Sequence, residues 1–290
     1  MQPDVNQHAT PPNPNAAPAR DFTVMGVVNV TPDSFSDAGR FFDPAAAVAH
    51  GLRLEAEGAT ILDVGGESTR PGADPVEAEE ESRRVVPVIE ALVAAGVHAQ
   101  ISVDTMKAEV AERALAAGAS LVNDVSALRA DPRMAELTAA AGAQLCLMHM
   151  LQLPGQPPVA PRYDDVVSEI KSFLVERMAF AVAAGVPEER IILDPGFGGG
   201  SFGKDTAQNL ELLRRLPELV ALGRPILVGT SRKGFLGELT DRAVDERLAA
   251  TIATNVIAYQ QGARIFRVHD VAPVCDALTV TAATLRPAGP

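Results

Sequence analysis

Ala91-Leu-Val-Ala-Ala-Gly-Val-His-Ala-Gln-Ile-Ser-Val-Asp104 holds the repeating unit of this chain. Alanine and leucine favour a helix. Gly96 then supplies the left-handed residue that ends a helix at little steric cost. The apolar run Ala99–Val103 follows, short and without alternation, as expected of a strand buried on both faces of a parallel sheet. Asp104 stops the run. The same unit recurs at Gly58, Gly118, Gly142, Gly185, Gly223 and Gly262, followed by Thr60–Val64, Leu121–Val122, Gln144–Met148, Ile191–Leu193, Ile226–Val228 and Ile265–Val268. Thr23–Val28 opens the series with no helix before it. Eight strands alternating with helices predict an α/β fold of the (β/α)8 TIM-barrel type, with its active site at the C-terminal ends of the strands. The polar stops Asn29, Asp63, Asp104, Asn123, His149, Asp194, Ser231 and His269 are therefore the candidate site residues.

The chain has 290 residues and a formal net charge of −12. That length suits one large core rather than two. No basic block or aromatic-basic interleaving is present, which argues against nucleic acid as a partner. An acidic protein that takes an anionic substrate must build a local basic pocket. Of the two cysteines, Cys146 lies inside an apolar run and reads as a buried thiol, and neither has CxxC spacing. Sparse cysteine fits a reducing cytoplasm. No apolar run reaches membrane-spanning length. Residues 1–20, rich in Pro, Asn and Ala, read as a disordered extension rather than a signal peptide. Residues 21–285 form the single barrel domain and 286–290 a loose tail.

Asp43-Pro44, Asp74-Pro75 and Asp131-Pro132 each place a capping carboxylate before a proline suited to a first helical turn. Glu77–Ala95 and Asp164–Ala184 carry apolar residues at helical spacing. Long loops follow the first, second, fifth and sixth strands: Thr31–Asp43, Gly65–Asp74, Met150–Asp164 and Pro195–Lys204. Loops of that length are more often functional than spacers.

A single Asp after an apolar run serves as a barrel-layer residue or a helix cap as readily as a ligand. Asp63, Asp104 and Asp194 at equivalent points around a ring are harder to dismiss, because like charges held together are costly unless a ligand satisfies them. Asn29 and Asn123 add neutral hydrogen-bonding groups at the same level. Such a ring suits a ligand rich in N–H donors, or one that becomes cationic during reaction. The basic candidates are Arg70, Lys233, Arg267 and His269. Arg267 and His269 alternate about Val268 and so share one side of the eighth strand. That pair suggests an anion clamp, most naturally for phosphate; the alternative for Arg267 is a salt bridge to a neighbouring Asp. Gly198–Lys204 imitates a phosphate-binding P-loop, but Asp205 stands where a Ser or Thr hydroxyl should hold magnesium, so the motif is rejected. His149 lacks a second histidine at metal-ligand spacing, which argues against zinc.

Together these residues resemble the dihydropteroate synthase family of the folate pathway, the target of sulfonamides. The resemblance rests on Met25-Gly-Val-Val-Asn-Val-Thr-Pro-Asp-Ser-Phe-Ser-Asp37, Asp63-Val-Gly-Gly-Glu-Ser-Thr-Arg-Pro-Gly72, Ser102-Val-Asp-Thr105, Val122-Asn-Asp124, Met148-His-Met150, Leu193-Asp-Pro-Gly-Phe-Gly198, Ser231-Arg-Lys233 and Arg267-Val-His-Asp270, in order along the chain. It implies a transferase that joins 6-hydroxymethyl-7,8-dihydropterin diphosphate to 4-aminobenzoate, with magnesium as cofactor, and a homodimer built through late helices such as Asp245–Gln261. It also implies that Asp104, Asn123, Asp194 and Lys233 hold the pterin. Asn29, Thr69, Arg70, Arg267 and His269 would meet diphosphate or its magnesium, with Asn29 the metal ligand. Phe35, Asp37, Thr69, Pro71, Phe197, Phe202 and Ser231 would surround aminobenzoate. Asp63, Asp104 and Asp194 would stabilise a pterin cation.

The chain departs from the family pattern at Gly199-Gly-Ser201, an insertion before the second phenylalanine of the sixth loop, at Leu151–Pro158, and at Gly234. These changes lie toward aminobenzoate or the rim, and are expected to alter sulfonamide affinity more than pterin binding. Two other readings compete. A pterin-binding methyltransferase barrel shares the Asp and Asn contacts but does not need Asn29-Val-Thr-Pro-Asp-Ser-Phe or the Arg267 and His269 pair. A non-catalytic pterin-binding paralogue would be favoured by the insertion alone.

Overall fold

The computed structural model describes residues 20–31, 44–67, 75–153, 156 and 162–286. Eight parallel strands form the barrel: β1 (Thr23–Asn29), β2 (Ile61–Gly65), β3 (Gln100–Asp104), β4 (Leu121–Asp124), β5 (Gln144–Met148), β6 (Ile191–Asp194), β7 (Leu227–Val228) and β8 (Ile265–Val268). The hydrogen-bonded order is β6-β5-β4-β3-β2-β1-β8-β7. A parallel bridge from Leu193 to Ile226, with the Leu193 amide donating to Pro225 O at 3.0 Å, brings β6 beside β7 and closes the ring. The surrounding helices are α1 (Pro44–Ala56), α2 (Ala78–Ala94), α3 (Ala108–Ala116), α4 (Arg133–Ala140), α5 (Val166–Ala183), α6 (Thr206–Arg214), α7 (Pro217–Val220), α8 (Gly234–Thr240), α9 (Leu248–Gln260) and α10 (Val271–Leu285).

All seven helix-ending glycines have positive φ, from 61° at Gly142 to 118° at Gly118. A Cβ there would strain the left-handed backbone, so the glycines do set the helix ends. The caps are less regular. Asp131 accepts from the amides of Arg133 and Ala108 at 3.1 Å each, serving the starts of α4 and α3 together. Helix α2 begins at Ala78, beyond the expected start at Pro75, and α5 is capped by Asp165, which accepts from Val167 and Ser168. Asp43 and Asp74 lie outside the described residues. Arg20, expected in the extension, belongs to the barrel: it donates to Gly58 O at 3.3 Å.

Two cores result from the strand period. Outward side chains such as Val24, Leu62, Leu147 and Phe266 pack under the helices. Inward ones, Met25, Ile61, Leu121, Cys146, Ile192, Leu227 and Ile265, fill the barrel. Burying each aliphatic side chain of this layer contributes about 1.5–3 kcal/mol. Cys146 is thus a packing residue. Below the layer Gln100 Nε2 donates to Gln144 Oε1 at 2.8 Å. Two residues further along the strands the same inward face turns polar: Asp63 after Ile61, Asn123 after Leu121, Asp194 after Ile192, Arg267 after Ile265. The site is the upper storey of a barrel whose middle storey is apolar.

Candidate active site

The floor of the site is a hydrogen-bond network around Asp63. This residue was expected to stop its strand, but it stands in the middle of β2, fully buried and below the rim. Ser102 Oγ donates to its Oδ1 at 2.6 Å, and Asn123 Nδ2 to its Oδ2 at 3.0 Å. Arg267 Nε donates to the same Oδ2 at 2.7 Å, while its Nη2 reaches Asp104 Oδ2 at 2.7 Å. One guanidinium thus holds two carboxylates from neighbouring strands. The salt bridge considered as an alternative for Arg267 is present, although the side chain still lines the cleft. Among the described residues Asn123 Oδ1 is buried without a partner. An unsatisfied buried acceptor costs free energy unless a ligand meets it.

Asp194 ends β6. Its Oδ1 accepts from the Gly196 amide at 2.7 Å. Gly196 has φ 69°, and a Cβ there would lie 1.8 Å from His149 O, so no other residue fits. Two of the three inserted residues, Gly200 and Ser201, form a 3-10 turn with Phe202, and Gly199 precedes it. Ser201 O accepts from the amides of Leu151 and Gln152 at 3.0 and 3.2 Å, so the departures in the fifth and sixth loops touch each other. Lys204 lies inside this loop, 2% exposed, donating to Gly196 O and Phe202 O at 2.7 and 2.8 Å. A P-loop lysine faces a phosphate; this one faces carbonyls, which disposes of that motif. Its ammonium also lies 3.2 Å from His149 Nδ1. His149 packs edge-on to Phe173 and does not line the cleft. Of the two candidate phenylalanines, Phe197 packs mainly into the outer core. Phe202 sits with Val125, Met148 and Met150, and Lys233 Nζ lies 3.7 Å from its ring centroid.

At the ends of β7 and β8, Ser231 Oγ and His269 Nδ1 are 3.0 Å apart. Arg232 forks onto Asp270 at 3.0 and 2.8 Å. Asn29, Asp104, Asn123, Asp194, Phe197, Phe202, Ser231, Lys233, Arg267 and His269 all line one cleft of about 1990 Å³. Phe35, Asp37, Thr69, Arg70 and Pro71 lie outside the described residues.

Burial sets the electrostatics. It pushes the Asp104 carboxyl up to about 7, with Arg267 pulling down and the Asp63 charge pushing up. It pushes Asp194 up to about 6 against the Gly196 amide and Lys233. Lys233 is pushed down to about 8 by burial and Arg267, opposed by Asp194. His269 falls to about 3 through burial and Arg267, so its ring is neutral at pH 7. For Arg267 burial acts downward, but Asp63 and Asp104 outweigh it and raise the group. Strongly shifted groups converging in one cleft mark a functional site.

Sequence reasoning missed Ser102, Lys204, Arg232 and Asp270. Ser102 was findable, since it shares its strand face with Asp104. Lys204 sat in the rejected motif and was given no other role. Among the described residues no group of three His, Cys, Asp or Glu could hold a metal.

The geometry defines an eight-stranded barrel whose upper cleft gathers buried hydrogen-bond acceptors and cationic side chains. Residues 25–269 match the family profile "Pterin binding enzyme". Dihydropteroate synthase of Mycobacterium leprae is 50% identical over 274 residues, covering 92% of this chain and 94% of that protein. The Xanthomonas albilineans dihydropteroate synthase solved with 4-aminobenzoic acid has a TM-score of 0.85 and 53% identity, covering 93% of this chain and 95% of that one. Its structure with 7,8-dihydropteroate gives 0.82 and 50%, with the same coverage. The chain belongs to the pterin-binding enzymes, within them to the dihydropteroate synthase family. Its activity is the condensation of 6-hydroxymethyl-7,8-dihydropterin diphosphate with 4-aminobenzoate to 7,8-dihydropteroate, a transferase step of folate biosynthesis.

Proposed function

We propose that the cleft divides the reaction between two sides. The observation that carries this is the Asn123 oxygen, unpartnered among the described residues, in a cleft that the Asp104 and Asp194 carboxylates share with Lys233 and with Arg267, which bonds to Asp104. The acceptors take the N–H donors of the pterin edge, and Lys233 takes an acceptor of the ring. Arg267 and neutral His269 receive the diphosphate, with Thr69 and Arg70 assigned there by family resemblance. Diphosphate leaves first. Asp63, Asp104 and Asp194 supply the negative field that stabilises the remaining pterin cation. The neutral aryl amine then attacks, which requires no strong base. Phe202, rather than Phe197, offers its ring to aminobenzoate; Ser231 reaches toward the carboxylate; Phe35, Asp37, Thr69 and Pro71 complete that subsite by resemblance. Sulfonamides would compete there.

Asn29 is the residue that would hold magnesium. The donor set fits an ion shared with substrate phosphates, which asks for only one or two protein oxygens rather than a protein cage. When bound, the ion neutralises charge building on the departing diphosphate. We further propose a cytoplasmic homodimer. No described helix is long and apolar enough to cross a membrane. Helices α9 and α10 expose Ile257, Val280 and Leu285 at 40%, 66% and 54%, a supply of apolar surface for a partner copy. Light scattering coupled to size exclusion tests the stoichiometry, a monomer at micromolar concentration contradicting it.

Incubation with the pterin diphosphate, 4-aminobenzoate and magnesium chloride is expected to give 7,8-dihydropteroate. Pterin binding without product would favour a non-catalytic paralogue, and methyl transfer to or from a pterin would favour the methyltransferase reading.

A further inference from the structure

Strand β7 is the weakest stave of the barrel. It pairs with β8 through only Leu227–Ile265 and Val228–Phe266, whereas β1–β2 and β2–β3 each share five pairs. Yet Ser231, Lys233 and His269, which line the cleft together with Arg232 and Asp270, lie beyond the point where this backbone ladder stops. Something other than the ladder must hold their register.

The side chains supply it. Ser231 bonds to His269 and Arg232 to Asp270, each pair separated by 38 residues, the same offset as Leu227–Ile265. The register of the sheet thus continues as two side-chain rungs. Two further features show that the second rung is built. Asp270 stands at the N-cap of α10, where an Asp side chain ordinarily accepts a helix N–H, yet it makes no cap hydrogen bond; both oxygens go to Arg232. Arg232 has φ 59°, a left-handed conformation that a long side chain rarely adopts and that persists only when its surroundings impose it. Its amide donates to Thr251 Oγ1 at 3.1 Å, and its carbonyl accepts from Arg247 Nη1 at 3.0 Å. This twist directs Ser231 and Lys233 to the cleft from either side of Arg232.

We propose that Arg232 and Asp270 are positioning residues at the anion-binding side of the site: their fork carries the β7–β8 register into the rim and fixes His269, which meets the anion, relative to Lys233, which meets the pterin ring. The inference rests on the reading that this side receives diphosphate. Displacing a binding group by an ångström is enough to lose much of its contribution.

The test uses the full chain, with pyrophosphate and magnesium chloride as probe in calorimetry, steady-state kinetics, and thermal melting as the check on fold. Arg232→Asn tolerates the left-handed backbone but cannot span to Asp270; Asp270→Asn keeps shape and removes charge. Each is expected to raise the pyrophosphate Kd and the KM for pterin diphosphate about tenfold, with a smaller fall in kcat. Reversing the pair, Arg232→Asp with Asp270→Arg, should recover most of that loss. Single variants that bind pyrophosphate as wild type does overturn the proposal, as does a folded reversed pair that binds no better than the singles. If the single variants do not fold, Arg232→Lys decides: it keeps charge but loses the fork, so weakened binding sustains the proposal and unchanged binding overturns it. Wild-type protein that makes dihydropteroate but does not bind pyrophosphate overturns the anion-side role, whereas absence of turnover with intact pyrophosphate binding refutes the reaction assigned and leaves the positioning claim standing.

Discussion

The two sides of the barrel mouth are held by different means. On the acidic side, Asp63 and Asp104 ride on five-residue strands whose ladders run to Gly65 and Asp104. The backbone places them, and Ser102, Asn123 and Arg267 then knit them into a floor. On the basic side the β7–β8 ladder has two pairs, and side chains place side chains. A site can therefore be rigid for two unlike reasons, and a substitution should act differently according to which one it touches.

The largest effect is expected where the two sides meet. Arg267→Ala leaves Asp63 and Asp104 without their cation, and breaking such a buried pair costs about 3 kcal/mol. The deficit should grow with pH. Asp104 has a raised pKa in the folded protein, so it keeps its proton below about 7 and its ionisation weakens the fold as pH rises through that value. Without Arg267, which pulls that pKa down, the penalty becomes larger on the alkaline side. Urea unfolding at pH 6 and pH 8.5 measures this; equal deficits at both would contradict it. Diphosphate binding should fall far more than aminobenzoate binding, and equal losses would leave a merely structural arginine.

Next comes the acidic side alone. Asp194 takes a proton below about 6 and Lys233 loses one above about 8. The kcat/KM for pterin diphosphate should therefore fall on both sides of that window. Asp104 titrates near 7 in the same cleft, so Asp194→Asn should remove only the step near 6 from the acid limb and, because it removes a buried charge, raise Tm at pH 8 by about 2–4 °C for each kcal/mol relieved. An unaltered acid limb would assign it to another group.

A smaller effect belongs to the inserted turn. Deleting Gly199–Ser201 removes the carbonyl that binds Leu151 and Gln152 and displaces Phe202 from Lys233. Affinity for aminobenzoate and sulfonamides should change about tenfold, with pterin affinity nearly constant. No change in either of the first two would sink the assignment. The smallest is Ser102→Ala, which takes one hydrogen bond from Asp63 and should cost about 1 kcal/mol in unfolding experiments.

What could be read in the sequence follows the same division. The glycines and apolar runs marked the strands because a buried parallel strand must be apolar and a helix must end. Asp104, Asn123 and Asp194 were visible because they interrupt that pattern where the ladder ends. Asp63 was visible as a residue but misplaced, since a charge in mid-strand looks like a stop. The partners of Arg267, 204 and 163 residues away, had no local signal. Arg232 and Asp270 stood inside quoted motifs yet were passed over, because a pair that acts on its neighbours' positions leaves no periodicity. Lys204 was hidden by a glycine-rich loop that imitated another motif.

The central claim is that one cleft holds a heterocycle on its acidic side and an anion on its basic side. Calorimetry on the Asp194→Asn protein, with 6-hydroxymethyl-7,8-dihydropterin and pyrophosphate titrated separately, tests it most directly. A loss of about tenfold or more in pterin affinity is expected, the scale of a charged hydrogen bond, with pyrophosphate affinity kept within about twofold. Parallel loss of both would contradict the division.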